Sequence, residues 1–526
     1  MRRVAVHVLV LPLVVAAGVA VVAPHGAAAA QASPPVLQTL LARYAAAMND
    51  PGAPELTRYV ASGTIDGEGL TGTFRSWHDG ERDRNDQQLG PRTESVLSLG
   101  ERVFLRDSDG DVRELRGVLL RRERTEHFID AGTFVAEPER CAYRGSQRIG
   151  THLTQTIDVT ARGGQTITLY LDDQTALPVR MAYDDDDGRT TIDFAEWHTI
   201  AGHRFAYVTV ISNGDHAFDV VQTTTSVDPA PDIAPSTFER PNPRSIDMAA
   251  PETIPLYVRD GHLYVPVQIG GNAYTFLIDS GAANVLVDAQ VARAAGLQEQ
   301  GALEASGATR TGGLHVARLD DLAIGSGHLH GLVVSTLDLG ASTHGAFRID
   351  GVLGYPFFAA ATVQIDYGRA EMRFGPPGSF APRGTRLDLE LDRALPEATF
   401  RLNDALDGQF VVDTGDAAEM LLYRPFVDRH PGVVQFTTAQ RSSFGVGGAT
   451  TSYRTELDRL DVAGTPLYHT TVDVMLATSG AFADRFSAGN VGLGVLKNFV
   501  VTFDDANAAL YVEKGSLFDD GRYRYK

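Results

Sequence analysis

Residues 276–282, FLIDSGA, recur 134 residues later as residues 410–416, FVVDTGD. Each copy is an apolar run that ends in Asp-[Ser/Thr]-Gly, a pattern that favours a buried strand followed by a tight turn. A lone carboxylate directly after a buried strand is unfavourable, and a matched pair offsets that penalty better than two isolated groups. The repeat therefore predicts that Asp279 and Asp413 come together.

Further features recur in the same order in both halves. A glycine-rich hairpin, at 306–313 or 444–448, follows each Asp-[Ser/Thr]-Gly turn. An apolar-apolar-Gly element comes next, which we assign to Val352-Leu353-Gly354 in the first half and to Gly492-Leu493-Gly494 in the second. Each half closes with two short strands, at 363–366 and 371–374, and at 500–504 and 509–512. The shared order predicts two copies of one β unit related by a pseudo-twofold axis.

This order of motifs resembles that of the aspartic proteases, and more narrowly that of bacterial two-lobed retropepsin-like proteins, over roughly residues 256–512. The resemblance implies an aspartic-type endopeptidase in which Asp279 and Asp413 activate the water that hydrolyses the peptide bond. It also implies that Ser280 and Thr414 hydrogen-bond across the twofold axis and hold both loops in register. Asp416 departs from the family, which usually has Ala, Ser or Thr there. Its carboxylate either raises neighbouring pKa values or turns outward to solvent, and we favour the outward orientation.

Two carboxylates about 3 Å apart share one proton, so one can activate a water while the other donates to the carbonyl oxygen. The pair titrates as a unit, and the sequence does not decide which aspartate holds the proton. Gly281 and Gly415 would let backbone N–H groups approach the carboxylates closely. The flaps that bind substrate would carry Gly312, Gly313, Gly447 and Gly448. No metal or organic cofactor is required.

Three segments precede the repeat. Residues 1–30 combine a basic start, an apolar stretch and small residues, which predicts a cleaved export signal, with a single membrane anchor as the alternative. Residues 35–228 predict one helix followed by the strands of an antiparallel sheet. Residues 229–255 hold seven prolines and predict an extended linker. The repeat itself then divides into lobes at 256–380 and 381–526. The predicted helix has one apolar face, formed by Leu37, Leu40, Leu41, Tyr44 and Met48.

Residues 170–180, YLDDQTALPVR, and 197–205, WHTIAGHRF, resemble periplasmic lipoprotein-carrier-like domains, which fold as a curved sheet with an apolar concave face. The resemblance implies a lipid or lipopeptide ligand. It also leaves an alternative function open, a periplasmic lipid- or peptide-binding carrier whose protease-like lobes are catalytically silent. The predicted fold class is mainly β: a curved antiparallel sheet with a helix, then a duplicated pair of acid-protease β barrels.

The composition limits the classes of molecule that we expect the protein to bind. A net charge of −20 argues against nucleic acid, because nucleic acid rewards basic patches. The single Cys141 excludes a disulfide framework and predicts a buried or idle thiol. We interpret the acidic turns at 107–110 and 184–188 as solvated hairpin turns rather than calcium loops, and His328 and His330 as a solvated strand edge rather than a metal site. We expect a monomer that acts on polypeptides in the periplasm or outside the cell.

Overall fold

The computed structural model describes residues 35–186, 188–259, 261–307, 310–342, 349–435, 440–445 and 448–518. The predicted export signal lies outside them. The described chain forms two compact units: an N-terminal unit of residues up to 106 with 114–241, and a C-terminal unit of residues 107–113 with 242 onward. Within the described ranges, no helix combines the length and apolar character needed to cross a membrane.

The N-terminal unit is built on one curved antiparallel sheet of thirteen strands, all of which lie in this unit except β6, of which only Glu114 does. The strand order is β6-β5-β4-β3-β2-β1-β13-β12-β11-β10-β9-β8-β7, so almost every strand pairs with its neighbour in the chain. The strands are β1 (Arg58–Gly67), β2 (Leu70–Asp79), β3 (Arg82–Leu89), β4 (Arg92–Leu99), β5 (Arg102–Arg106), β6 (Val112–Glu114), β7 (Cys141–Ile149), β8 (His152–Val159), β9 (Ile167–Asp172), β10 (Pro178–Asp184), β11 (Arg189–Ile200), β12 (His203–Ser212) and β13 (Val220–Asp228).

Two helices accompany this sheet, α1 (Pro35–Met48) and α2 (Val118–Asp130). All five residues of the predicted apolar face of α1 are buried, and they pack against sheet residues such as Ile157 and Leu169. The sequence did not predict α2. Its buried side chains include charged ones, among them Arg122 and Glu126, so no clean apolar period marks it.

The first lobe of the C-terminal unit is a six-stranded barrel. Its sheet has the order β15-β16-β17-β22-β18-β21-β20-β19, and an additional β16–β20 pairing closes the barrel. The elements are β15 (Tyr257–Arg259), β16 (His262–Ile269), β17 (Asn272–Ile278), β18 (Leu286–Asp288), α3 (Ala289–Ala294), β19 (Gln300–Ser306), β20 (Arg310–Ile324), β21 (Gly327–Leu337), α4 (Leu339–Ser342), β22 (Gly351–Leu353) and α5 (Tyr355–Ala360).

The second lobe repeats this plan. Strands β26-β27-β32-β28-β31-β30 follow one another, and a β26–β30 pairing closes a second six-stranded barrel. Its elements are β26 (Glu397–Leu402), β27 (Leu406–Val412), β28 (Met420–Tyr423), α6 (Arg424–Arg429), β29 (Gln440–Gly445), β30 (Gly448–Val462), β31 (Thr465–Met475), β32 (Gly489–Val491) and α7 (Leu493–Leu496). The predicted mainly β fold, with a curved sheet and a duplicated barrel, is confirmed.

The closing strands of the two lobes join in one shared sheet, in the order β14-β24-β23-β33-β34-β25. The junction is the antiparallel pairing of β23 with β33, in which Val363 faces Phe503. The end of the proline-rich segment is not a free linker, because β14 pairs with β24 in this sheet. The strands are β14 (Glu252–Pro255), β23 (Thr362–Asp366), β24 (Glu371–Gly375), β25 (Thr385–Glu390), β33 (Phe499–Asp504) and β34 (Ala509–Lys514).

Candidate active site

The two Asp-[Ser/Thr]-Gly loops leave the barrels at equivalent places, one after β17 and the other after β27. The apolar residues of each strand are buried, and they carry Asp279 and Asp413 to positions with 0% exposure. Each aspartate is also fixed through its backbone. The N–H of Asp279 donates to Leu353 (3.1 Å), and the N–H of Asp413 donates to Val491 (2.9 Å). The predicted pair of apolar strands thus positions a pair of buried carboxyl groups.

The second residues of the two loops interlock. The hydroxyl of Ser280 donates to the carbonyl of Val412 (2.7 Å) and accepts from the N–H of Thr414 (3.0 Å). The hydroxyl of Thr414 donates to the carbonyl of Ile278 (3.1 Å) and accepts from the N–H of Ser280 (3.0 Å). The two pairs of bonds are related by the pseudo-twofold axis, so each loop is held by the backbone of the other.

The glycines of the motif explain how close the loops are. A Cβ added to Gly281 would lie 2.2 Å from Oδ2 of Asp413, and one added to Gly415 would lie 2.2 Å from Cγ of Asp279. Each carboxyl group therefore rests against the glycine of the opposite loop. Combined with the 2.9 Å bond from Gly281 N–H to Asp279, this places the two carboxyl groups less than about 8 Å apart.

Backbone and side-chain N–H groups donate hydrogen bonds to the two carboxyl groups. The N–H of Gly281 donates to Oδ1 of Asp279 (2.9 Å), and the N–H of Gly415 donates to Oδ1 of Asp413 (2.8 Å). The side-chain amide of Asn490 donates to Oδ2 of Asp413 at 2.6 Å. Donors of this kind stabilise a carboxylate in a place where water does not reach it.

The sequence assignment of the second apolar-apolar-Gly element is wrong by two residues. In the first lobe β17 runs parallel to β22, with Leu277 facing Val352. In the second lobe β27 runs parallel to β32, with Val411 facing Asn490. The equivalent of Val352-Leu353-Gly354 is therefore Asn490-Val491-Gly492. Leu493 and Gly494, which the sequence placed in this element, begin α7 instead.

The two predicted flaps are hairpins, β19–β20 in the first lobe and β29–β30 in the second. Gly312 and Gly313 lie in β20, and Gly448 begins β30. Gly447 lies outside the described residues. At the tip of the first hairpin, the carbonyl of Gly307 accepts from the N–H of Ala481 in the second lobe (2.9 Å). The first hairpin therefore reaches across to the opposite lobe.

Asp416 does not simply turn into solvent. It is half-buried, and its Oδ1 accepts a hydrogen bond from the N–H of Ala418 (3.1 Å). This short contact closes a local turn just after the second motif. The equivalent residue of the first lobe is Ala282, so the difference between the two loops is accommodated by a turn of the second loop's own backbone.

The segment 107–113 contacts the first lobe through the side chain of Asp111. Its Asp111 accepts a hydrogen bond from the hydroxyl of Tyr355 (3.0 Å) and pairs with Arg113 (2.7 Å). Tyr355 follows Gly354, and its N–H donates to Ala282 beside the first motif (2.8 Å). Sequence reasoning missed this contact, since nothing local links residues 244 positions apart.

The acidic turn in this segment differs from the prediction. Asp109 and Asp111 are buried rather than solvated, with exposures of 6% and 8%. Oδ1 of Asp107 accepts the N–H groups of both residues, and Oδ1 of Asp109 accepts the N–H of Val333. Burial and the charge of Asp107 raise the pKa of Asp109 to about 7. The carboxylates thus organise backbone, and within the described residues no group of three or more His, Cys, Asp and Glu side chains is arranged to hold a metal.

Other predicted features lie apart from the dyad. His328 and His330 stack on each other and both pair with Asp321, at 3.0 Å and 3.1 Å. Cys141 is half-buried, and burial together with nearby glutamates raises the pKa of its thiol to about 12. Tyr367, in the closing hairpin of the first lobe, is a neighbour that the sequence did not suggest. Burial and the charge of Asp413 raise its pKa.

The N-terminal unit contains a cavity of about 870 Å³ against strands β1 to β4. Its lining is largely polar and charged and includes Arg75, Arg84, Asp86, Gln87, Glu94 and Arg106. A second cavity of about 330 Å³ lies beside Tyr59, Trp77 and the hydrogen-bonded pair His78–Asp83. The lipid or lipopeptide ligand implied for this unit stays a prediction.

Comparison with known proteins gives a family match within the first lobe. Residues 265–357 match a family model described as aspartyl protease, and this range contains the first motif and Gly354. No curated protein matches the chain.

Three solved structures share 11–14% identity with the chain, each with a TM-score of 0.28. They are a putative outer membrane lipoprotein-sorting protein domain from Vibrio parahaemolyticus (38% of this chain, 95% of that one), a DUF1329 family protein from Desulfovibrio piger (39% and 96%) and a LolA superfamily protein from Nitrosomonas europaea (40% and 98%).

Proposed function

We propose that the protein is an aspartic-type endopeptidase whose catalytic dyad is Asp279 and Asp413. The observation that carries the proposal is the reciprocal interlock of Ser280 and Thr414, which holds two buried carboxyl groups against each other's glycine. A structural role alone does not call for two facing buried carboxyl groups, because either one could be replaced by an apolar side chain without the penalty of burial. The match of the first lobe to an aspartyl protease model supports the same class.

The proposed reaction uses one proton shared by the pair. The ionised carboxylate takes a proton from a water, and the oxygen of that water forms a bond to the peptide carbonyl carbon. The electron pair of the carbonyl bond moves to the carbonyl oxygen, which takes the proton of the other carboxyl group. The carboxyl group that took the proton of the water then gives it to the leaving nitrogen, and the C–N bond breaks. One hydroxyl of the tetrahedral product returns its proton to the other carboxylate as the C=O bond forms again, so the pair again shares one proton. Both aspartates lie on one chain, so a dimer is not needed to assemble the site.

The substrate we propose is an extended polypeptide. Extended peptides bind through their backbones beside exposed strand edges, which hairpins such as β19–β20 provide. Asp279 and Asp413 have 0% exposure in this structure, and Gly307 is bonded to Ala481. A substrate therefore reaches the carboxyl groups only after covering segments move, and we expect the Gly307–Ala481 contact to open when it binds.

The test is cleavage of a peptide library by the purified protein between about pH 3 and pH 7, where a shared-proton dyad is half protonated. Asp279→Asn and Asp413→Asn should each abolish cleavage detected by mass spectrometry. The exposed Asp388→Asn is the control, since it removes a carboxylate from the same unit. Failure of the unmodified protein to cleave any peptide in this range would overturn the proposal and favour the silent carrier.

We also propose that the chain is exported, with residues 1–30 removed. This rests on the sequence pattern described above. Amino-terminal sequencing of the protein recovered from the periplasm or medium should find a start near residue 31. A protein that keeps its first residues and sediments with membranes would instead support the single-anchor alternative.

A further inference from the structure

The short strands beside the two aspartates differ in chemistry at their middle residue. In each lobe the strand before the aspartate runs parallel to a short strand, β22 or β32. The middle residue of that short strand is Val352 in the first lobe and Asn490 in the second. Val352 has 1% exposure and Asn490 has 0%. The equivalent buried position therefore holds an aliphatic side chain in the first lobe and an amide in the second.

The amide of Asn490 is held at both ends. Its Nδ2 donates to Oδ2 of Asp413 at 2.6 Å, and its Oδ1 accepts from the hydroxyl of Tyr423. Tyr423 has 0% exposure, so the phenol that orients the amide is itself fixed by packing. With the N–H of Gly415 on Oδ1, both oxygens of Asp413 accept a hydrogen bond. Val352 has no polar hydrogen to offer to Asp279.

Hydrogen bonds from N–H groups favour the ionised form of a carboxyl group, and this preference is stronger where water is excluded. The titratable groups we place near Asp413 are Asp279 across the axis, Asp416 on its own loop, and the phenols of Tyr367 and Tyr423. None of these groups is a cation that could hold the charge on Asp413. In the arrangement that the two lobes share, the amide of Asn490 is the donor that the first lobe replaces with Val352.

We propose that Asn490 is a positioning residue that places the negative charge of the pair on Asp413 and the shared proton on Asp279. The catalytic consequence rests on the proposed function: Asp413 accepts the proton of the water, and Asp279 donates its proton to the carbonyl oxygen. The placement of charge itself is a property of the folded protein and does not depend on cleavage.

The experiment titrates each aspartate without the other. In Asp279→Asn protein the carbon-13 signal of the Asp413 carboxyl group is followed against pH, and in Asp413→Asn protein that of Asp279. We expect Asp413 to titrate at a lower pH than Asp279. Adding Asn490→Val should raise the midpoint of Asp413 by about one pH unit and leave the midpoint of Asp279 unchanged.

The pseudo-twofold supplies a matched control. Exchanging the two side chains, Val352→Asn with Asn490→Val, should reverse the order in which the aspartates titrate. Tyr423→Phe keeps the amide of Asn490 but removes its hydrogen-bond donor, so it should raise the midpoint of Asp413 by a smaller amount. This variant replaces Asn490→Val in the test if Asn490→Val does not fold. Thermal unfolding checks that each variant is folded.

An Asp413 midpoint that stays constant in the Asn490→Val protein would overturn the assignment, because the amide would then favour neither form of Asp413. A midpoint that falls would also overturn it, since the amide would then be accepting from a protonated Asp413. These titrations need no substrate, so they distinguish failure of this inference from failure of the proposed function. If the unmodified protein cleaves peptides, its kcat/KM profile should move in the same way: the acidic limb of Asn490→Val shifts upward by about one pH unit.

Discussion

The two lobes share their loops and differ in what lies beneath them. In both, Asp-[Ser/Thr]-Gly follows a buried strand. The hydroxyls of Ser280 and Thr414 each donate a hydrogen bond to the backbone of the opposite loop. Beneath the loops, the second lobe alone has Asn490 under its aspartate, and the first lobe alone has Tyr355 tied to Asp111. The comparison teaches that the fold needs symmetry in the loops, where each half supports the other. The division of charge that we propose between Asp413 and Asp279 instead depends on the difference between the short strands.

The largest expected effect comes from breaking the close approach that the two loops share. Gly281→Ala and Gly415→Ala each place a methyl group where the opposite carboxyl group lies, at 2.2 Å. Because both sides of the contact are buried, we expect each variant to lose at least about 1,000-fold in peptide cleavage and to be less stable by about 3 kcal/mol or more.

Cleavage assays and denaturant unfolding measure these two effects. Gly340→Ala is the matched control, since its nearest added contact is an ordinary 3.4 Å. A Gly415→Ala protein with unchanged stability and activity would show that the loops do not meet as described.

The next effect tests whether the reciprocal hydrogen bonds of Ser280 and Thr414 contribute equally to stability. Ser280→Ala and Thr414→Val each remove one buried hydroxyl that donates and accepts a hydrogen bond. Each loss should lower the free energy of unfolding by about 2 to 3 kcal/mol, because buried backbone groups lose their partners. Thr414→Ser keeps the hydroxyl and should stay within about 1 kcal/mol of the unmodified protein. Denaturant titrations measure all three, and a large difference between Ser280→Ala and Thr414→Val would break the symmetry.

A smaller effect, which depends on pH, is expected at a buried carboxyl group near Asp111. Asp505 follows β33, has 6% exposure, and its carboxyl oxygens have no hydrogen-bond partner among the described residues. Burial, followed by the charges of Asp111 and Asp504, raises its pKa well above the ordinary value. The folded protein then keeps a proton that the unfolded chain has released, so this group weakens the fold as the pH rises above about 4.

Asp505→Asn removes this titration. Its stability relative to the unmodified protein should grow by about 1 kcal/mol or more between pH 4 and pH 7, as measured by denaturant unfolding at each pH. Asp388→Asn, at an exposed position, should show no such trend. A difference for Asp505→Asn that is constant across this range would contradict the prediction.

The smallest effect is expected at the residue where the loops themselves differ, Ala282 against Asp416. Because Oδ1 of Asp416 caps the N–H of Ala418, Asp416→Ala should cost less than about 1 kcal/mol and leave the pH profile of cleavage in place. A shift of that profile by about one pH unit would show that the third carboxylate acts on the dyad after all.

Much of the C-terminal unit could be predicted from the sequence because its signals are local. The Asp-[Ser/Thr]-Gly turns and the closing strands are short patterns whose residue types dictate their own geometry. The apolar face of α1 was readable for the same reason, since five apolar side chains at helical spacing must be buried. Helix α2 was not, because charged side chains such as Arg122 interrupt its buried face.

The sequence by itself determined that this chain carries two matched carboxyl loops on a duplicated β unit. Only the tertiary structure decided what surrounds them. Glycine and leucine recur around residue 492, so local pattern could not fix the register, and the pairing of β27 with β32 was needed to place Asn490 under Asp413. Tyr355 and Asp111 meet across 244 residues, a contact that depends on the folding of the whole unit and leaves no trace in the residues on either side.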